Sequence, residues 1–185
     1  MEFIDREELG MKQQIDVFDY AGHICKAMKK GILLTTKSDS GVNTMTIGWG
    51  TIGIEWNKPI FIAYVRETRY TKQLLEAHGE FTVNIPYGEM DTNIISYCGT
   101  RSGRDTDKIR DLGLTLVDSD KIQVPGIQQL PLTLECKVIY KQPQNLSCLP
   151  QAVIDRFYPA INEDGIQDYH IAYYGEIVNA YLIEP

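Results

Sequence analysis

Runs of β-branched and apolar residues, broken at short intervals by turn formers, dominate the hydrophobic pattern of this chain. Ile32 to Thr36 and Val42 to Trp49 are two such runs, and the turn-forming stretch Lys37-Ser38-Asp39-Ser40-Gly41 between them makes the pair a hairpin. Ile60 to Val65 is apolar throughout, the pattern of a strand buried on both faces, and Asn57-Lys58-Pro59 breaks the chain ahead of it. Phe81 to Ile85 is a further strand, ended by Pro86. Leu132, Leu134, Cys136, Val138 and Tyr140 alternate with Thr133, Glu135, Lys137 and Ile139, and Ile171 to Ile183 is equally β-rich.

Helical spacing is confined to short stretches. Ala21, Ile24, Cys25 and Met28 recur on one face behind a candidate cap at Asp19, and Lys29-Lys30-Gly31 supplies a stop. A helix is expected from about Thr68 to His78, closed by Gly79. Met90, Ile94, Tyr97 and Cys98 share another helical face, and Ser102-Gly103-Arg104-Asp105 matches a capping box opening a helix that stops at Gly113. Gln142 to Gly165 reads as a long loop with a helical turn near Ala152 to Phe157. The pattern predicts an α+β chain, a mainly antiparallel β-barrel with short flanking helices, forming one domain over residues 1–185.

Composition narrows the partners. The chain carries 25 acidic and 18 basic residues, a net charge of -7, so its overall field repels nucleic-acid phosphates and anionic membrane surfaces, and an anionic ligand needs a local basic cluster. Met1 to Gly10 lacks the basic and apolar pattern of a signal peptide, and the apolar runs are too short to span a bilayer, so a soluble cytoplasmic protein is expected. The 4 cysteines (Cys25, Cys98, Cys136 and Cys148) form no metal-ligand spacing, and the 3 histidines (His23, His78 and His170) are scattered. Reduced thiols and no metal site are the expectation.

Two segments carry candidate chemistry. Gly48-Trp49-Gly50-Thr51-Ile52-Gly53 is a literal GxGxxG, but the dinucleotide-binding version opens a helix, and here Trp56-Asn57-Lys58-Pro59 blocks a helix and a strand follows. Its glycines serve either a bend at a barrel corner or the close approach of a flat ligand. Arg66-Glu67-Thr68-Arg69-Tyr70-Thr71-Lys72 places cations where a helix begins, against the helix dipole. A bound phosphate would resolve that conflict; a solvated basic turn is the alternative.

Asn43-Thr44-Met45-Thr46-Ile47-Gly48-Trp49-Gly50, Lys58-Pro59, Arg66, Arg69-Tyr70-Thr71 and Glu80-Phe81-Thr82-Val83-Asn84-Ile85-Pro86 together resemble the flavin reductase-like family, in particular its flavoredoxin branch. The likeness continues through Cys98-Gly99-Thr100-Arg101-Ser102-Gly103-Arg104-Asp105-Thr106-Asp107-Lys108 to His170 and Gly175-Glu176-Ile177. It implies an FMN-binding split barrel, a homodimer, and electron transfer through bound FMN with no catalytic acid or nucleophile from the protein. Carried over by position, it implies that Asn43, Thr46 and Trp49 line the flavin with the backbone of Gly50 and Thr51 at the ring edge. Asn43 and Trp49 would lie about 20 Å apart on a straight strand, so a bend is needed for both to touch one FMN.

The resemblance further makes Arg69, Thr71 and Lys108 phosphate and ribityl candidates. Arg66 either joins them or pairs with a carboxylate, and Lys108 either joins them or is satisfied by Asp105, Asp107 and Asp111. His170 is a flavin neighbour or a structural histidine. Three functions stay open at this point: reduction of the flavin by NADH or NADPH, electron carriage with a redox protein partner, and a binding domain without FMN.

Overall fold

Hairpin pairing accounts for most of the architecture. The computed structural model describes residues 10–39, 41–159, 161, 165 and 167–184. The expectations placed on Met1 to Gly10 therefore lie, Gly10 apart, outside the described residues, as does Ser40 in the predicted turn. In chain order the elements are β1 (Lys12–Gln14), a 3-10 turn (Val17–Tyr20), α1 (Ala21–Met28), β2 (Ile32–Ser38), β3 (Gly41–Ile47), β4 (Gly50–Glu55) and β5 (Lys58–Arg66). Then follow α2 (Tyr70–His78), β6 (Glu80–Ile85), α3 (Thr92–Thr100), α4 (Lys108–Asp111), β7 (Leu116–Val117), β8 (Gly126–Ile127), β9 (Leu132–Pro143), α5 (Gln151–Phe157) and β10 (His170–Ile183).

The main sheet runs β3-β2-β6-β9-β10-β5-β4, with β1 added to β10, and its ladders are antiparallel. Residues from β2, β3, β5, β6, β9 and β10 meet in one core cluster with Ile24 and Met28 of α1 and Leu75 of α2, so the sheet is curled around a shared interior. A second cluster of Leu33, Ile94, Cys98, Leu114, Ile127 and Leu130 packs α3 and the segment after α4 onto the outside of β2. The long strands β9 and β10 shift register between Tyr174 and Gly175 and again between Ile177 and Asn179, the bulges that let such strands bend.

Local chemistry explains where several elements begin and end. Trp56 and Asn57 both adopt positive φ, 51° and 58°, in the two-residue connection between the paired Glu55 and Lys58, the backbone that matches strand twist in a tight hairpin. Gly79 closes α2 in the left-handed conformation as expected. The Asp19 cap is corrected: Asp16 caps the preceding 3-10 turn by accepting from the Phe18 amide, α1 starts without a side-chain cap, and Cys25 is exposed. The Ser102 capping box does not open a helix either. Ser102 Oγ accepts from the Arg104 amide within a turn, and α4 begins only after Asp107, which caps it through the Arg110 amide.

Burial departs from the pattern in two strands. In β5, Ile62 and Tyr64 are half-buried, so only one face is fully covered. In β9, by contrast, Leu132 to Cys136 are all buried, because the segment around β8 covers the second face: Glu135 accepts from the amides of Asp120 and Lys121, and Thr82 Oγ1 donates to Pro125 O. Among the described residues, no helix is long and apolar enough to cross a membrane, and no group of His, Cys, Asp and Glu could hold a metal ion.

Gly175 sits where β10 crosses Phe81, and a Cβ there would lie 2.4 Å from Phe81 Cζ and 2.9 Å from Cys136 Cβ. Gly175→Ala should therefore lower unfolding stability by about 1–3 kcal/mol in a denaturant titration. An unchanged midpoint would mean that this crossing is not tightly packed.

Candidate functional site

The end of β3, the Gly48-Trp49 connection, the end of β5, the start of α2 and the end of α3 enclose a cleft of three joined hollows. One, ≈ 170 Å³, is lined by residues including Thr46, Arg69, Thr71, Arg101, Arg104 and Lys108. The next, ≈ 180 Å³, shares Met45, Thr46 and Arg69 with it and adds Trp49, Tyr64, Arg66 and His170. The third, ≈ 370 Å³, shares Trp49 and Tyr64 and reaches Cys25, Met28 and Gly50. Together they have the volume of a cofactor site.

The first hollow is cationic. Arg69, Arg101, Arg104 and Lys108 all line it, and among the described residues none of them pairs with a carboxylate. Arg104 donates to Thr68 O and lies over the Tyr70 ring, and Arg101 lies over Tyr97. Lys108 is only 4% exposed, and its Nζ donates to Thr44 O at 2.7 Å and Cys98 O at 3.3 Å. Burial first, and then the positive charge of Arg69, holds its ammonium below the ordinary lysine range, partly offset by Cys98. Its satisfaction by Asp105, Asp107 and Asp111, the alternative offered by the sequence, is not observed.

Two threonines differ in what they offer. Thr71 Oγ1 accepts from Asn43 Nδ2 at 2.9 Å, so its own proton can be donated into the cationic hollow. Thr46 Oγ1 donates to Ile95 O at 2.6 Å, leaving lone pairs for the cleft. Asn43 is buried and lines a neighbouring hollow of ≈ 620 Å³ rather than the three of the cleft, so its role here is to position Thr71.

The opposite end is aromatic. Trp49, 42% exposed, lies 4.9 Å from the His170 ring and 5.2 Å from that of Phe157. Arg66 lines this end but is already committed: it donates to Phe157 O and Asp168 O and pairs with the Asp168 carboxylate, the alternative weighed for it from the sequence. Thr51 is exposed on β4, with Oγ1 3.5 Å from Tyr64 OH, outside the three hollows. Gly50 does line the cleft, yet a Cβ there would meet Phe61 Cζ at 2.9 Å and Met28 Sδ at 3.1 Å. Packing alone is a sufficient reason for glycine at this position. The bend itself is present, since Gly48 and Trp49 fall between β3 and β4.

The flavin reductase like domain family matches residues 27–185 of this sequence. The chain belongs to that family. A curated relative, an uncharacterized protein of Archaeoglobus fulgidus, is 34% identical over 97 residues, 52% of this chain and 54% of that protein. The chain thus spans about half the length of the curated relatives it matches. Among solved structures, a flavoredoxin from Methanosarcina acetivorans superposes with TM-score 0.61 at 25% identity over 83% of this chain and 68% of its own. An FMN-binding domain of a flavin reductases-like enzyme from Shewanella baltica gives 0.62 at 15% identity over 95% and 78%. The fold is the split β-barrel of this family, as the resemblance implied.

Several residues of this family member's cleft escaped the sequence reading. Arg101 and Arg104 were visible as cations beside glycines but carried no assignment. The glycines have steric reasons: a Cβ at Gly99 would sit 3.3 Å from Thr46 Cβ, and one at Gly103 would overlap the Asn43 amide. Both let the segment after α3 close down on β3. Tyr158, Phe157 and Gln144 reach the aromatic end from the long loop, where no local pattern marks them.

His170 is 7% exposed. Burial, then the charge of Arg66, and more weakly Arg69, hold its pKa down to about 4, with Asp168 opposing. The unfolded chain takes up a proton near pH 6.5 that the folded protein refuses until about 4, so stability is fully present above 6.5 and is lost as pH falls through that window. Between pH 7 and 4.5 the loss should be about 2 kcal/mol in denaturant titrations and be absent from His170→Gln. An equal loss in the variant would contradict it.

Proposed function

We propose that this protein binds FMN in the cleft and is an NADH- or NADPH-dependent flavin reductase. The reading rests on the cluster of Arg69, Arg101, Arg104 and Lys108, which has no carboxylate partner among the described residues of a protein with net charge -7 and lies in one cleft with Trp49, Tyr64 and His170. A phosphate supplies the missing anion, and Thr71 adds a hydroxyl donor beside it. Thr46 offers an acceptor midway, where a ribityl hydroxyl would lie. Trp49 and Tyr64 wall the position of the ring system, and the exposure of Trp49 leaves room for a second planar ligand.

Bound FMN supplies the redox chemistry, taking a hydride from the nicotinamide and giving electrons to an acceptor. The protein's residues hold and orient it; none is required as an acid or nucleophile. A second reading, an FMN electron carrier working with a redox protein, draws support from the likeness to the Methanosarcina acetivorans flavoredoxin. For either reading we propose a homodimer, consistent with the large apolar side chains Ile54 and Trp56 exposed on the β4–β5 hairpin.

Purified protein supplied with FMN should be yellow and should bleach anaerobically on addition of NADH or NADPH. Bleaching by a ferredoxin-type donor but not by nicotinamides would favour the carrier. Arg69→Ala should weaken FMN binding about tenfold or more, and failure of the unaltered protein to bind FMN would overturn both readings.

A further inference from the structure

Gln144, Tyr158 and His170 form a hydrogen-bonded chain in the wall of the cleft. The Tyr158 hydroxyl donates to Gln144 Oε1 at 2.7 Å and lies 2.8 Å from His170 Nδ1. The three are held from several directions. The Gln144 backbone N–H donates to His170 O, the Tyr158 backbone N–H to Ile154 O, and Gln167 Nε2 to Tyr158 O, while the Arg66 guanidinium lies 5.4 Å from the Tyr158 ring centre. Tyr158 is buried, and burial keeps its phenol protonated well into the alkaline range despite Arg66.

A phenol has one proton. Committed to Gln144 Oε1, it leaves Tyr158 only lone pairs to offer His170, so Nδ1 must carry a hydrogen and donate it. Burial keeps the imidazole neutral near pH 7, and Arg66 opposes its protonation more than Asp168 favours it. Its second nitrogen then has no hydrogen. With Nδ1 turned to the buried phenol, Nε2 is the nitrogen left for the hollow that His170 lines.

We infer that Gln144 and Tyr158 are positioning residues that fix His170 as the Nδ1–H tautomer, so that Nε2 is a hydrogen-bond acceptor at the aromatic end of the cleft. An acceptor fixed there suits an N–H group of a planar heteroaromatic ring and rejects a carbonyl in the same place. The choice of ligand rests on the flavin reading above; the tautomer does not.

The test is the ¹⁵N spectrum of histidine-labelled protein without added ligand, followed by FMN titration. The unaltered protein should show His170 protonated at Nδ1. Gln144→Leu removes the acceptor of the phenol proton, which should then turn to Nδ1 and invert the tautomer, and Gln144→Glu, which still accepts, should retain it. FMN affinity should fall between about two- and tenfold in Gln144→Leu and recover in Gln144→Glu. An Nε2–H tautomer in the unaltered protein, or no change in Gln144→Leu, would overturn the inference. Inversion without loss of FMN affinity would overturn the assignment of Nε2 to the ligand. Failure of the unaltered protein to bind FMN, with the tautomer as stated, would instead count against the flavin reading.

Discussion

Lys108 reaches from α4 to the backbone of two other segments, donating to Thr44 O on β3 and Cys98 O on α3. Burying an ammonium between neutral carbonyls is unfavourable unless more negative charge is near. Here Arg69, of the same sign, adds to that cost. This contact ties α4 and α3 to β3, an approach that Gly99 and Gly103 make sterically possible, and beside it Thr46 bonds to Ile95 while Asn43 bonds to Thr71. The resulting hollow is positively charged on several sides at once, an arrangement that calls for an anion.

The aromatic end depends on a different cation. Arg66, at the end of β5, gathers Phe157 O and Asp168 and thereby ties these two positions to the sheet. Thr68 strengthens the hold through its amide and hydroxyl on the Asp168 carboxylate. Trp49 can pack on Phe157 and His170 because of this. One arginine thus serves structure while its neighbour Arg69, exposed at the start of α2, remains available to a ligand.

Strand pairing was legible because it is written locally: the turn after Ser38, the alternation in β9 and the glycine closing α2 each lie within a few residues of their effect. The cation cluster at Arg69 was legible for the same reason, since it conflicts with the helix that follows it. What escaped depends on distant partners. Nothing near Lys108 in sequence tells that it will be buried against β3, and nothing near Arg66 announces Asp168. Phe61 and Met28, which fill the space where a side chain at position 50 would go, are likewise distant in sequence from that glycine. The Ser102 motif held its local turn but not a helix, because Asp107 caps α4 further on.

The proposed flavin site joins a cationic end to an aromatic end in one cleft. Its most direct measurement compares the affinities of FMN and riboflavin, which share the ring and ribityl chain and differ in the phosphate. FMN should bind at least about tenfold more tightly, and the difference should shrink when salt is raised. Equal affinities for the two flavins would contradict the assignment of the Arg69, Arg101, Arg104 and Lys108 cluster to a phosphate.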